Sequence, residues 1–85
     1  MTTWKAKIEV TFKKSVLDPQ GVAVEKALGV LGYNNVENVR VGKYLELVLR
    51  TGSESEARQQ VDEMCQRLLT NPVIEEYSYR IEQQD

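Results

Sequence analysis

The sequence predicts a single α+β domain with the element order β-α-β-β-α-β. Two segments, one near each end of the chain, alternate apolar and polar residues with the period of a half-buried strand. Two others repeat apolar residues at helical spacing, and each begins at a residue suited to capping a helix. Between the helices, a glycine-containing turn separates two short apolar runs that are typical of a strand pair.

The first strand is predicted from Trp4 to Phe12, where apolar residues occupy every second position. The first helix is predicted to begin at Asp18-Pro19, because Asp caps free backbone N–H groups and Pro is tolerated in the first turn. Gly32 is predicted to end this helix in the left-handed conformation. The apolar stripe of the helix is expected to face the sheet, and it consists of Val24, Ala27, Leu28 and Leu31.

The second and third strands are predicted at Val36–Val41 and Leu45–Leu49. The phase of the apolar residues indicates the turn between them. A two-residue Gly42-Lys43 loop would pair Val41 with Tyr44 and mix apolar and polar residues on one face. A three-residue loop over 42–44, or a bulge there, keeps one face apolar and is therefore the prediction.

The second half of the chain repeats the helix–strand pattern. Ser53, with Glu56 three residues later, forms a capping-box pattern at the start of the second helix. Asn71-Pro72 is predicted to end that helix, because the residue before Pro avoids the helical conformation. The last strand is predicted over Glu75–Ile81. These elements together predict the ferredoxin-like plan, a four-stranded antiparallel sheet with both helices on one face.

Length and composition limit how this chain is stabilised. A chain of 85 residues buries only about 60–65% of the surface that its unfolded form exposes. Its one cysteine, Cys65, excludes an internal disulfide, and the absence of histidine argues against a zinc site. Small domains without these supports commonly oligomerise or dock on a larger partner, so we expect the chain to work as a subunit.

Charge and hydropathy argue against several classes of partner. The net charge of −2, with both signs interspersed, is a poor match for a nucleic-acid binder. No apolar run approaches the roughly 20 residues of a membrane span, and the N-terminus carries no signal-peptide core. We therefore expect no nucleic-acid or membrane partner and a cytoplasmic location, which one unpaired cysteine also fits.

The residue types favour a docking surface over an active site. No histidine is present to activate a nucleophile, and Cys65 lies on the apolar stripe of the second helix, so it is predicted to be a buried hydrophobe. We expect no catalytic, cofactor-binding or metal-binding residues in this chain. The candidate interface residues are those of the basic turn and one face of the last strand: Arg40, Gly42, Lys43, Tyr44, Tyr77, Tyr79 and Ile81. The last-strand face is predicted either to be core or to lie on an edge that pairs with a second copy.

Three segments resemble the PurS family, the small subunit of multi-subunit phosphoribosylformylglycinamidine synthase, and together they cover most of the chain. They are Ser15–Gly21, Val39–Leu47 and Met64–Tyr77. The resemblance implies one PurS-like domain over residues 1–85 and a non-catalytic role. It implies a homodimer, or a higher homo-oligomer, that bridges a large synthetase subunit and a glutaminase subunit so that ammonia from glutamine reaches formylglycinamide ribonucleotide. ATP and Mg are expected in the synthetase subunit, and no cofactor is expected in this chain.

The predicted fold by itself leaves other functions open, because this architecture serves many. The main alternative is a small-molecule-sensing regulatory domain that binds an amino acid or nucleotide without needing the synthetase. RNA binding is a weaker alternative, since the chain is acidic overall.

Overall fold

The computed structural model describes residues 1–84. Within that range the chain forms three β-strands and two α-helices, and a short π-helical turn continues the second helix. In chain order they are β1 (Thr2–Phe12), α1 (Pro19–Val30), β2 (Lys43–Thr51), α2 (Glu54–Met64) with its π-helical turn (Cys65–Leu69), and β3 (Glu75–Gln84). The α+β class predicted from the sequence is confirmed.

The strands form an antiparallel sheet in the order β2-β1-β3, with β1 in the centre. Ala6 of β1 lies opposite Leu47 of β2 and Ile81 of β3. These residues and their alternate neighbours form the inner face of the sheet, on which α2 packs. The buried hydrophobic core is Trp4, Ala6, Ile8, Val10, Ala57, Val61, Cys65 and Ile81.

The predicted four-stranded, ferredoxin-like sheet is wrong, because among the described residues the sheet has three strands. The segment Val36–Val41 is not a strand but runs beside α1. The Val39 N–H donates to Glu25 Oε1 at 3.3 Å, and the Val41 N–H donates to Asp18 Oδ2 at 2.9 Å. The carboxylates of Glu25 and Asp18 thus accept hydrogen bonds from backbone N–H groups that would otherwise be available to a neighbouring strand.

The predicted hairpin between the second and third strands is wrong for the same reason. Lys43 and Tyr44 belong to β2 rather than to a three-residue loop, and they lie opposite Val10 and Glu9 of β1. β2 therefore pairs on one side with β1, and its other side is an edge of the sheet within the described chain.

The prediction that both helices cover one face of the sheet is also wrong. In the stripe of α1 that was expected to face the sheet, Val24, Ala27 and Leu31 are exposed to solvent, and Leu28 is half-buried. Leu31 is 72% exposed. The longest dimension of the molecule is 52 Å, which matches β1, about 36 Å long, and α1, about 18 Å long, placed end to end. The radius of gyration is 16.5 Å, against about 12 Å for a compact domain of this length. α1 therefore extends beyond the end of the sheet.

The predicted helix caps are confirmed. The Asp18 side chain accepts the Gly21 N–H at the start of α1, and Ser53 Oγ accepts the Glu56 N–H at the start of α2. Gly32 follows α1 with a φ of 100°, the left-handed conformation that favours glycine. Cys65 is fully buried, as predicted, and its burial raises the pKa of the thiol.

Candidate functional site

Residues 13–42 leave the sheet at the end of β1 and return to it at the start of β2. We call this segment, which contains α1, the arm. Its attachment to the sheet is the base of the arm, formed by Asp18, Gly21, Arg40 and Gly42. Two of the candidate interface residues predicted from the sequence, Arg40 and Gly42, lie in this base.

Asp18 joins the two chain segments of the base. Its side chain is buried, with Oδ1 accepting the Gly21 N–H at 3.0 Å and Oδ2 accepting the Val41 N–H at 2.9 Å. Arg40 Nε lies 3.9 Å from Oδ2. The Gly21 and Val41 N–H groups, with a smaller contribution from the Arg40 charge, hold the pKa of Asp18 below its usual value. The ionised carboxylate is therefore the form that stabilises the base.

Arg40 ties the returning segment to the end of β1. Its Nη2 donates to the carbonyl oxygen of Phe12 and, at 2.9 Å, to the carbonyl oxygen of Lys13. The guanidinium thus donates to backbone carbonyl oxygens of its own chain. Fewer of its N–H donors remain for a partner protein. Its role at an interface stays a prediction, and the contacts present here are structural.

Both glycines of the base allow backbones to approach closely. A Cβ added at Gly21 would lie well inside van der Waals contact of the Val39 carbonyl oxygen, and one at Gly42 would do the same with the Val10 carbonyl oxygen. Because the opposing atoms are backbone, they cannot turn aside as a flexible side chain would. The sequence motifs around Gly21 and Gly42 therefore shape the base of the arm.

We expect Asp18→Asn to lower the melting temperature by several degrees at neutral pH, because an amide oxygen can accept only one of the two N–H bonds while its NH₂ opposes the other donor. The folded-state pKa of Asp18 lies below its unfolded value near 3.8. The carboxylate therefore contributes stability above that value, and the contribution is lost as the pH falls through the folded pKa. The deficit of the variant should shrink below about pH 4.

Thermal unfolding of both proteins between neutral pH and about pH 3 measures this dependence. Glu25→Gln is the matched control, because Glu25 accepts only the Val39 N–H and a glutamine oxygen can still accept it. A deficit of Asp18→Asn that stays constant across this pH range would show that the charge of Asp18 is not responsible.

Lys43 and Tyr44 are exposed at the start of β2. The Tyr44 hydroxyl donates to Glu46 Oε2 at 2.7 Å, and this bond to a carboxylate raises the pKa of the tyrosine. Tyr44 lies on the outer face of the sheet, where Lys5 pairs with Glu46 and Lys7 pairs with Glu82, whereas Lys43, opposite Val10, lies in the register of the inner face. This placement suits a polar contact, but the part played by Lys43 and Tyr44 in docking stays a prediction.

The three candidates on β3 lie on the inner face of the sheet. The Tyr77 hydroxyl donates to Asp62 Oδ1 at 2.8 Å, and the Tyr79 hydroxyl donates to the Arg58 carbonyl oxygen at 3.5 Å. Ile81 is part of the buried core. The side chains therefore hold α2 against the sheet, while β3 is itself an edge strand of the described sheet. The prediction that these side chains belong to the core holds for Ile81, and the prediction that the strand lies at an edge of the sheet holds for the backbone of β3.

The seven candidates do not form one surface. Arg40 and Gly42 lie in the base of the arm, Lys43 and Tyr44 at the adjoining start of β2, and the β3 residues across the central strand. Sequence reasoning did not predict the exposed apolar side chains on one side of α1 and at the end of α2, among them Val30, Leu31 and Leu68. The sequence analysis identified the apolar stripe of α1 but assigned it to the core. Hydrophobic periodicity shows which face of a helix is apolar, and it does not show which surface that face packs against.

Among residues 1–84, no group of three or more Cys, Asp or Glu residues is arranged to hold a metal ion. No helix in that range is both long and apolar enough to span a membrane. The geometry thus offers binding surfaces and packing contacts, and the described side chains do not converge on a metal centre.

Comparisons with known proteins agree on one family. Residues 5–83 match the family described as PurS, phosphoribosylformylglycinamidine (FGAM) synthase. The PurS subunit of Bacillus subtilis is 49% identical over 80 residues, 94% of either chain. That of Synechocystis is 49% identical over 79 residues, 93% of this chain and 79% of the relative. A chain in the structure of PurLQS from Thermotoga maritima superposes with a TM-score of 0.87 at 33% identity, covering 96% of this chain and all of that one. The chain therefore belongs to the PurS family of phosphoribosylformylglycinamidine synthase subunits.

Proposed function

We propose that this chain is the small subunit that bridges the synthetase and glutaminase subunits of phosphoribosylformylglycinamidine synthase. In this role it helps to hold the assembly in which ammonia released from glutamine reaches formylglycinamide ribonucleotide. The observation that carries the proposal is the full-length likeness to PurS subunits, including a chain in the structure named PurLQS.

The architecture supports a role in assembly. The buried hydrophobic core contains eight side chains, two of them alanines, and a domain of this size is marginally stable by itself. Large apolar side chains remain exposed on α1 and at the end of α2, including Leu31 and Leu68. Exposed apolar side chains that lie together on a surface are typical of a site of interaction in soluble proteins.

The chemistry belongs to the partners in this proposal. ATP and Mg²⁺ bind the synthetase subunit, and glutamine is hydrolysed on the glutaminase subunit. This chain forms a homodimer or higher homo-oligomer, takes no cofactor, and works in the cytoplasm. Cys65 fits a structural role, because it is fully buried and its raised pKa disfavours the reactive thiolate.

Reconstitution tests the bridging role. The chain is mixed with both partner subunits in the presence of ATP, Mg²⁺ and glutamine, and the mass of the complex and the amount of product are measured. We expect that omitting this chain abolishes the assembly and glutamine-dependent synthesis, while synthesis from added ammonia continues on the synthetase subunit. If the two partners assemble and use glutamine equally well without it, the proposal is wrong.

The alternative of a small-molecule-sensing domain has one structural observation in its favour. An open groove of about 850 Å³ lies beside the base of the arm, and its charged and amide side chains are Lys14, Asn38, Arg40 and the carboxylates of Asp18, Glu25 and Glu76. Asn38 has a φ of 58°, an uncommon conformation for a residue other than glycine. Thermal stabilisation of the isolated chain by an amino acid or a nucleotide would support this alternative, and its absence would leave the groove as a feature of the arm.

A further inference from the structure

The open groove beside the base of the arm lies between two parts of the chain. One wall belongs to the end of the sheet, through Thr11 of β1 and Glu76 of β3, and the other belongs to the arm, through Val22 and Glu25 of α1. We call this feature the arm groove. Its volume of about 850 Å³ falls within the range of about 300–1,000 Å³ that is typical of small-molecule sites, which often lie where two domains meet.

The arm groove opens on the outer side of the sheet. Thr11 and Glu76 lie opposite one another in the register and share the face that carries Lys7, whereas α2 packs on the other face. At about 100° per residue, Val22 lies about 140° around α1 from Ala27 of the exposed apolar stripe. The groove is therefore separate from that stripe and from the packed face of the sheet.

Apolar side chains form much of the lining of the arm groove. They are Phe12, Val16, Leu17, Val22 and Val39. Leu17 is 73% exposed and Val22 is 42% exposed. A ligand that covers these side chains removes apolar surface from water, which favours binding. The ring of Phe12 can also pack against an aromatic ligand.

Charged groups of both signs line the same groove. Among residues 1–84, neither Lys14 nor Glu76 forms an ion pair, although both line the groove and both are exposed. Arg40 uses Nη2 and Nε in the base of the arm, so the two N–H groups of Nη1 are not needed there. Glu25 accepts the Val39 N–H through Oε1, which leaves Oε2 for another donor. The groove thus offers a cationic and an anionic partner together.

This combination of charges selects among ligands. The phosphate of a nucleotide would lie beside the carboxylates of Asp18, Glu25 and Glu76, which repel it. A ligand with only a positive charge would meet Lys14 and Arg40. A zwitterion gives each sign its partner, and an apolar side chain on the same molecule covers the apolar lining.

We propose that the arm groove binds a free α-amino acid with a large apolar side chain. Lys14 and Arg40 hold its carboxylate, and Glu25 and Glu76 hold its ammonium group. This site is additional to the bridging role and does not depend on it. Because the ligand contacts both the sheet and the arm, it opposes rotation of the arm about its base.

The test titrates the full chain with L-phenylalanine and follows its amide NMR spectrum. We expect shifts at the residues that line the groove and a dissociation constant on the order of 1 mM, as for other ligands of this size. Hydrocinnamate lacks the ammonium group and phenethylamine lacks the carboxylate, so each should bind at least about 10-fold more weakly. L-Alanine keeps both charges but lacks the ring, and it should also bind more weakly.

Two variants assign the ends of the ligand. Lys14→Gln and Glu76→Gln change exposed side chains, and each should weaken binding of L-phenylalanine at least about 3-fold. Lys14→Gln should not weaken binding of phenethylamine, which has no carboxylate, and Glu76→Gln should not weaken binding of hydrocinnamate, which has no ammonium group. Glu63→Gln is the matched control, because Glu63 is exposed on α2 and does not line the arm groove.

Three results would overturn the proposal. L-Phenylalanine on the order of 10 mM could leave the amides of the groove unshifted, either analogue could bind as tightly as the amino acid, or a nucleotide could bind more tightly than all of them. The ligand series on the unchanged chain decides this even if a variant does not fold. Because these measurements use the isolated chain, they can fail while reconstitution of the three subunits succeeds, and the reverse also holds.

Discussion

Gly42→Ala is expected to lower the free energy of unfolding by about 2–3 kcal/mol, the upper part of the range for overpacked positions. The added Cβ would overlap the Val10 carbonyl oxygen and crowd the Thr11 side chain. Gly42 lies where the arm rejoins the sheet, just before β2 pairs with β1. To relieve the overlap, the start of β2 must move away from β1, which weakens the pairing and the base of the arm together.

Urea unfolding at one fixed protomer concentration, followed by Trp4 fluorescence and circular dichroism, measures this change. Gly52→Ala is the matched control, because its Cβ would lie 3.6 Å from the Glu56 carboxylate, an ordinary contact. Gly29→Ala meets no atom within 4 Å and should instead stabilise α1 by up to about 1 kcal/mol. A Gly42→Ala protein as stable as the Gly52→Ala control would contradict the close approach described here.

Arg40→Ala is expected to lower the free energy of unfolding by about 1–2 kcal/mol, a value reduced from that of a buried charged hydrogen bond because the side chain is partly exposed. The carbonyl oxygens of Phe12 and Lys13 and the Asp18 carboxylate all lose their shared partner. Because the orientation of α1 depends on these contacts, we also expect weaker assembly with the synthetase and glutaminase subunits.

Lys43→Ala separates the structural role from direct docking. Lys43 is exposed and lies close to Arg40 in the chain, so its replacement should change stability by no more than about 0.5 kcal/mol. Thermal unfolding and the reconstitution assay are measured on both variants. If Lys43→Ala weakens assembly without loss of stability, the start of β2 is a contact surface. If assembly is unchanged with Lys43→Ala, the docking prediction for this residue is wrong.

The features predicted correctly from the sequence depend on residues close together in the chain. The alternation from Trp4 to Phe12 is visible within one segment and predicted β1, which the structure confirms. The caps at Asp18 and Ser53 act on N–H groups three residues away, and Gly32 ends α1 through its own conformation. Such local interactions need no information about the rest of the fold.

The features predicted wrongly depend on partners far apart in the chain. Val36–Val41 has the composition of a strand, but its conformation depends on hydrogen bonds to distant side chains. Glu25 accepts the N–H of the residue 14 positions later, and Asp18 accepts the N–H of the residue 23 positions later. The sequence shows that the segment is suited to extended backbone. It does not show that side chains of α1 reach its N–H groups before another strand does.

The sequence by itself determined the α+β class, the location of β1, β2 and β3 and the starts of both helices, because hydrophobic period and capping act over a few residues. It also predicted a strand over Val36–Val41 that does not form. It also predicted the family, through three segments, two of which contain the residues of the base of the arm. The tertiary structure alone decided that α1 points away from the sheet. The hydrophobic effect is non-directional, so the apolar side chains of Val24 and Leu31 gain similar free energy from packing on any apolar surface. The contacts of Asp18 and Arg40 fix the direction of α1, and they therefore decide which surface it can reach.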